Sequence, residues 1–274
     1  MTMVKMGTIW DRTTAVLSGR AGALGGVATV TLFLPLTLML AWTMFFQPKT
    51  SSGMVLTLVL YLAAAFVGLL GALAMTALAS DPETTTASAW ARARSRILTL
   101  CGVTVVLVAV AVLALLPVIL ILAASRVDMT ALTAGGAPRL SGGLMTIVAL
   151  YYILFMVFLL WFAARLSVLN AVVLHERLGL GAIRRSFALT RGITWRLIGV
   201  LLLYAVVLFV VRAAIQSVVG LVLRLILGAD QIAVAVFVAG MVGAAITTIF
   251  SVLAATFAAQ LYVALTTTRQ PTAA

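Results

Sequence analysis

Few side chains in this sequence could do acid–base or metal chemistry. It contains one histidine, one cysteine and six acidic residues, whereas an active site needs paired titratable groups, a metal cluster or an activated nucleophile. His175 and Glu176 are adjacent. Successive side chains on a helix diverge by about 100°, so we expect that these two do not face one site. No HExxH, phosphate-binding glycine loop or Gly-x-Ser-x-Gly elbow occurs. We therefore predict no catalysis, no metal and no cofactor.

Arginines are the more informative polar residues, and they cluster between apolar runs. Six of the eighteen basic residues lie in residues 165–200: Arg165, Arg177, Arg184, Arg185, Arg191 and Arg196. A net charge of +12 would favour nucleic acid in a soluble protein. Here the arginines lie in short loops beside apolar stretches, so the pattern predicts anionic lipid headgroups as partners and no nucleic acid.

The elements that position these arginines are predicted to be transmembrane helices. The sequence is 64% hydrophobic and 9% charged, and several uncharged stretches reach the roughly 20 residues that cross a bilayer. We predict an all-α integral membrane protein with one polytopic domain over residues 1–274. The six predicted spans are approximately 26–46, 53–79, 97–122, 143–165, 197–215 and 231–265, and residues 166–196 form a basic connection that we call the hub.

Basic amphipathic segments precede three of these spans, and we expect them to lie at the membrane interface. They occupy residues 7–20, the stretch that ends in Arg92, Arg94 and Arg96, and the hub. The arginines predicted to bind lipid phosphates are Arg184, Arg185, Arg191, Arg196, Arg92, Arg94 and Arg96. The alternative is that these residues only anchor the topology, as any basic loop does.

The distribution of positive charge predicts the orientation. With six spans, thirteen Lys and Arg residues lie on the side of the termini and the hub, against five on the other side. The positive-inside rule therefore places both termini and the hub in the cytoplasm.

A polar stripe follows the fifth span. Arg212, Gln216, Gly220 and Arg224 recur every four residues in an apolar segment. They either line an intramembrane cavity or belong to a separate helix in the outer interface, with both arginines reaching headgroups. We favour the interfacial helix, because residues 197–227 exceed one bilayer crossing at about 1.5 Å per residue.

Small residues recur every four positions in two spans, which permits close helix packing. The second span has Ala64, Gly68 and Ala72, and the sixth span has a longer row that includes Ala239, Gly243 and Ser251. We predict that these two faces pack together. Because a four-residue step overshoots the helical turn, the longer row should also meet other neighbours.

The three interfacial segments align with one another. Leu24, Leu100 and Leu197 occupy one aligned position, and Gly26, Gly102 and Gly199 another. These matches either record a three-fold repeat of interfacial helix plus hairpin or arise by chance in so apolar a composition.

The segment RRSFALTRGITWRLIGVLLL, residues 184–203, resembles a known family. It is similar to the membrane domain attached to some bacterial glycerophosphodiester phosphodiesterases and to related stand-alone inner-membrane proteins. The matching positions are Arg185, Ser186, Phe187, Leu189, Thr190, Gly192 and Trp195. The resemblance implies six spans in a bacterial inner (plasma) membrane. It implies no catalysis, because the family's phosphodiesterase activity resides in a separate soluble barrel.

Together these features predict a non-catalytic multi-pass protein linked to lipid. It would bind or move lipid, or assist a partner protein that handles lipid or the envelope. One alternative is a small-solute transporter or channel built around the Pro35 and Pro117 kinks and the Arg212 stripe. Another is a structural membrane subunit.

Overall fold

A computed structural model describes residues 6–46, 50–124, 142–228 and 231–267, and these are almost entirely helical. The α-helices are α1 (Met6–Ala28), α2 (Leu34–Ala41), α3 (Ser51–Ser80), α4 (Thr86–Ala124), α5 (Gly142–Leu166), α6 (Leu169–Glu176), α7 (Gly181–Thr190), α8 (Thr194–Leu227) and α9 (Ile232–Thr267). Six helical stretches are long and apolar enough to cross a membrane. The predicted all-α multi-pass membrane fold is confirmed. The connection between the third and fourth predicted spans lies almost wholly outside the described residues.

The first span departs from a regular α-helix at three places, and the last of them is a π-helical segment, Trp42–Phe46, at its end. Helix α1 has a non-helical residue at Arg20 (φ −131°, ψ 19°), where the amphipathic segment ends and the apolar span begins. A π-helical segment, Thr29–Phe33, then precedes α2. Pro35 follows it at the start of α2. A proline ring clashes with the carbonyl four residues earlier, and the wider π turn gives that carbonyl more room.

Helix α8 is one continuous helix that ends at Leu227. The predicted separate interfacial helix after residue 215 is therefore wrong for the described residues. A 34-residue helix is about 51 Å long at about 1.5 Å per residue, so α8 extends beyond the roughly 30 Å core of a bilayer. Helix α4 likewise joins the basic segment before the third span to the span itself, and it contains Pro117.

The buried core lies where α3 ends and α4 and α8 begin, which we call the hub end; the opposite end is the far end. Leu24, Leu100 and Leu197 are at most 1% exposed, so the aligned leucines of the three interfacial segments share one environment. Toward the far end α4 exposes Val105, Leu113 and other large apolar residues, as expected for a surface that contacts lipid.

Helix α9 packs against α1, α3 and α8. A Cβ placed on Gly243 would lie 3.0 Å from Gln216 Cδ of α8, and one on Gly240 would lie 2.5 Å from Leu40 Cδ2 of α2. The side chain nearest to Gly68 is Leu32 of the first span, while α3 and α9 are also in contact with each other. Of Gly68 and Gly71, Gly71 approaches the first span more closely, and it lies outside the predicted stripe.

Candidate functional site

The hub helix α7 is docked on the end of α5 by its polar face. Ser186 Oγ donates to the carbonyl of Arg165 at 2.7 Å, and Arg165 Nη1 donates to the carbonyl of Phe187 at 3.0 Å. Ser186 is fully buried. These bonds satisfy polar groups that would otherwise be costly to bury, so α7 is fixed to α5 in one position.

Aromatic packing reinforces this docking. The Phe187 ring meets Trp161 and Phe162 edge-on, each with a centroid separation of 5.8 Å. The Arg165 guanidinium lies 5.5 Å from the Trp161 centroid and 5.7 Å from the Phe187 centroid, which is within cation–π range. Ser186 and Phe187, two of the positions that resemble the known family, therefore pack α7 against α5.

Gly192 and Trp195, the last two of the matching positions, lie where the chain enters α8. Gly192 has φ +91°, a conformation that glycine adopts without the strain of a side chain. Trp195 is 84% exposed and lies at the start of α8, as expected of an interfacial anchor.

Behind α7, His175 and Glu176 meet the same residue of α9. The His175 ring stacks on Tyr262 with an interplanar angle of 8°, and Tyr262 Oη donates to Glu176 Oε1 at 3.2 Å. Arg185 Nε donates to Glu176 Oε2 at 2.7 Å. The expectation that the adjacent pair could not face one site is wrong, because Tyr262 reaches His175 with its ring and Glu176 with its hydroxyl.

This cluster joins elements together but lacks the usual parts of a nucleophilic site. Ser80 Oγ and His175 Nε2 are 3.0 Å apart, which is the contact that activates a serine when a third group orients the histidine. Among the hydrogen bonds of the described residues, none joins His175 to a carboxylate. The described residues also hold no group of three or more potential metal ligands. The cluster can link α3, α6, α7 and α9, which is a structural role.

The seven predicted headgroup ligands differ in their exposure and in whether they pair with a carboxylate. Arg184, Arg191 and Arg94 are exposed, so their guanidinium groups face the surroundings of the hub end. Arg185 pairs with Glu176, and Arg92 lies 3.4 Å from Asp81 Oδ2. The remaining two are Arg196, which is exposed, and Arg96, which is half-buried.

Asp81 orders the connection between α3 and α4. Its carboxylate accepts from the Glu83 backbone N–H at 3.0 Å and from Thr84 Oγ1 at 2.8 Å. The Glu83 amide, followed by Thr84 and then Arg92, lowers the pKa of the Asp81 carboxyl. The connection is therefore held by an ionised carboxylate at neutral pH.

An apolar cavity of about 800 Å³ opens between α1, α8 and α9 in the hub-end half of the bundle. Its walls include Trp10 of α1, the face of α8 from Leu197 to Val207, and Phe250 and Ala254 of α9. None of its lining residues is charged. The α8 wall is about 15 Å long at about 1.5 Å per residue, which is half of a bilayer core of about 30 Å.

Polar groups of this cavity are few, and they include Ser167 and Asn170, which lie where it meets the hub. Ser167 Oγ is buried, and no described residue hydrogen-bonds to it. A buried hydroxyl without a partner costs about 1–3 kcal/mol. A ligand with a polar group at the hub end and an apolar chain below it would match the polar and apolar residues of this lining.

A second cavity, of about 940 Å³, lies along the same helices toward the far end. Arg212, Gln216 and Arg224 line its α8 wall, while the first span and α9 supply Thr43 and Thr247. The two cavities share no lining residue. Because both follow the first span, α8 and α9, they lie one after the other across the bundle.

Several of these features have weak sequence signals. Gln260 Nε2 donates to the Ala79 carbonyl at 2.6 Å and links α9 to α3, and a lone glutamine near the end of an apolar span is the clue. Arg20 Nη1 donates to three backbone carbonyls between residues 78 and 84. The apolar cavity has no motif, because its walls come from five separate segments.

Comparison of the chain with protein-family models, with curated proteins and with solved structures gives no match. The resemblance at residues 184–203 therefore stays a prediction. Six apolar helices make this a multi-pass membrane protein.

Proposed function

We propose that the protein binds lipid in the hub-end cavity and presents or moves it, without catalysing a reaction on it. The observation that carries this proposal is the uncharged cavity of about 800 Å³ with the buried, unpartnered Ser167 hydroxyl at its hub end. That volume lies in the range of about 300–1,000 Å³ found for small-molecule sites. The cavity matches an amphiphile in polarity as well as in length.

Charge around the hub end supports the same ligand class. Arg184, Arg191 and Arg94 are exposed there, and each basic residue near an anionic leaflet contributes about 1 kcal/mol. On this proposal the hub end faces the cytoplasm of a bacterium, as the positive-inside count predicts. The arginines would then collect anionic headgroups at the leaflet where the apolar cavity begins.

A transporter of small solutes is the second candidate, and the far cavity favours it. Two arginines and a glutamine line that cavity, and intramembrane ionisable residues commonly mark substrate pathways. The hub-end cavity argues for lipid instead, because a hydrophilic solute would have to pass walls without a charged residue.

Filling the hub-end cavity should displace its ligand. Ala254 lines the cavity, so Ala254→Trp places an indole in the space of an acyl chain. We expect native mass spectrometry of detergent-extracted protein to show at least a fivefold loss of bound phospholipid. Ala65→Trp, on the exposed surface of α3, should keep wild-type lipid occupancy.

A monodisperse gel-filtration peak for both variants would show that the fold is intact. Equal lipid occupancy in Ala254→Trp and Ala65→Trp would contradict the proposal, as would wild-type protein that carries no lipid.

A further inference from the structure

The far cavity differs from the hub-end cavity in having charge and hydrogen-bond donors. Its lining includes two guanidinium groups, Arg212 and Arg224, and the side-chain amide of Gln216. Thr43, Ser217 and Thr247 line the same space, although the Thr43 and Thr247 hydroxyls donate to backbone carbonyls of their own helical turns. None of the lining residues is Asp or Glu. The two positive charges therefore have no carboxylate among the walls of this cavity.

Arg212 and Arg224 lie at different depths along the bilayer normal. Measured along α8 from Arg196, Arg212 lies about 24 Å and Arg224 about 42 Å away at about 1.5 Å per residue. A bilayer core is about 30 Å thick, and the headgroup layers bring the total to about 40–45 Å. If Arg196 marks the hub-end boundary of the core, Arg212 lies just inside its far boundary and Arg224 lies on the aqueous side of the far headgroup layer.

The arrangement fits an anion better than a cation or a neutral sugar. Guanidinium groups present paired N–H donors that match the oxygens of a phosphate, and the Gln216 amide adds a further donor. An arginine inside an apolar helix is costly and generally marks a functional site. Gly243 of α9 lets the Gln216 side chain pack against it, because a Cβ there would lie 3.0 Å from Gln216 Cδ.

We propose that the far cavity is a binding site for a phosphate group, with Arg212, Gln216 and Arg224 as the donors along its α8 wall. The phosphate comes either from a lipid headgroup of the far leaflet or from a free oxyanion, and the chemistry of the site is the same for both. This proposal does not rest on lipid binding in the hub-end cavity. A phosphate site at the far end remains if that cavity binds nothing.

The test is a calorimetric titration of delipidated full-length protein in non-ionic detergent. One arm titrates inorganic phosphate into the protein, and the other titrates a short-chain phosphatidylglycerol. A titration with chloride is the control. We expect saturable binding in at least one arm, and at least a tenfold rise in Kd for Arg212→Gln with Arg224→Gln. A matched pair, Arg12→Gln with Arg177→Gln, removes two exposed arginines at the hub end and should keep the wild-type Kd.

The two arms identify the source of the phosphate. Tighter binding of phosphatidylglycerol indicates a lipid headgroup, and binding of inorganic phosphate alone indicates a free oxyanion. Either supports the site when the glutamine pair weakens it, because the hub-end cavity is itself proposed to bind phospholipid. Arg212→Lys with Arg224→Lys should fall between wild type and the glutamine pair, because lysine keeps the charge without the paired donors. Absence of saturable binding in both arms would overturn the proposal. Equal Kd values for the glutamine pair and the matched pair would do so as well.

Discussion

Gly71→Ala is expected to destabilise the protein by about 1–3 kcal/mol, the usual range for overpacking. A Cβ at residue 71 would lie 2.5 Å from Thr31 Cβ and still closer to Thr31 Oγ1. Thr31 is β-branched and buried in the π-helical segment, with its hydroxyl bonded to the Val27 carbonyl. Its side chain is stiff, so α3 and the first span must move apart. Unfolding in mixed micelles of increasing SDS content measures the change.

Gly68→Ala is the matched control on the same helix. Its Cβ would meet only Leu32 Cδ2, at 3.7 Å, an ordinary contact distance. Alanine is the better helix former by about 1 kcal/mol, so Gly68→Ala should be neutral or slightly stabilising. Equal midpoints for the two variants would show that α3 and the first span do not approach most closely at Gly71.

Arg20→Met should lower the free energy of unfolding by about 2–4 kcal/mol. Hydrogen bonds from charged groups contribute about 1.5–3 kcal/mol each, and here they share one side chain. Arg20 Nη1 donates to the carbonyls of Leu78, Asp81 and Thr84 at 2.8, 3.1 and 3.1 Å. The first of these carbonyls lies in the last turn of α3, where helical carbonyls lack intrahelical partners. The guanidinium therefore ties the kink in α1 to the α3–α4 connection.

Arg12→Met provides the comparison, since Arg12 is an exposed arginine on the same helix. The same SDS titration should give a wild-type midpoint for Arg12→Met and a lower one for Arg20→Met. Arg20→Met should also give faster amide hydrogen exchange at the end of α3. A midpoint unchanged by Arg20→Met would refute the capping role.

The spans could be predicted from the sequence because bilayer crossing depends on local composition. Uncharged runs of sufficient length identify them, and residues 143–165 match α5 to within one residue at each end. The end of α8 was harder to predict. Arg224 suits both an interfacial helix and a cavity wall, and only the packing of α8 on α9 decides between them.

The sites depend on long-range contacts, so their prediction was less complete. Arg185 is one of several similar arginines in the sequence, and its pairing with Glu176 arises from the docking of α7. Two helices, α7 and α8, separate His175 from Tyr262 in the sequence, and nothing in the local pattern pairs them. Small-residue spacing indicated close packing but not its partners. Gly71 is next to Ala72 and on no predicted stripe, yet it approaches the first span more closely than Gly68 does.

Photolabelling with a phospholipid that carries a diazirine in its acyl chain tests the lipid-binding account most directly. Delipidated protein would be reloaded with a near-stoichiometric amount of this lipid, irradiated and mapped by peptide mass spectrometry. The account predicts adducts in residues 197–207 and 250–258, the α8 and α9 walls of the hub-end cavity, and their loss in Ala254→Trp but not in Ala65→Trp. Adducts confined to exposed faces such as that of Val105 and Leu113 on α4, and unchanged by Ala254→Trp, would contradict it.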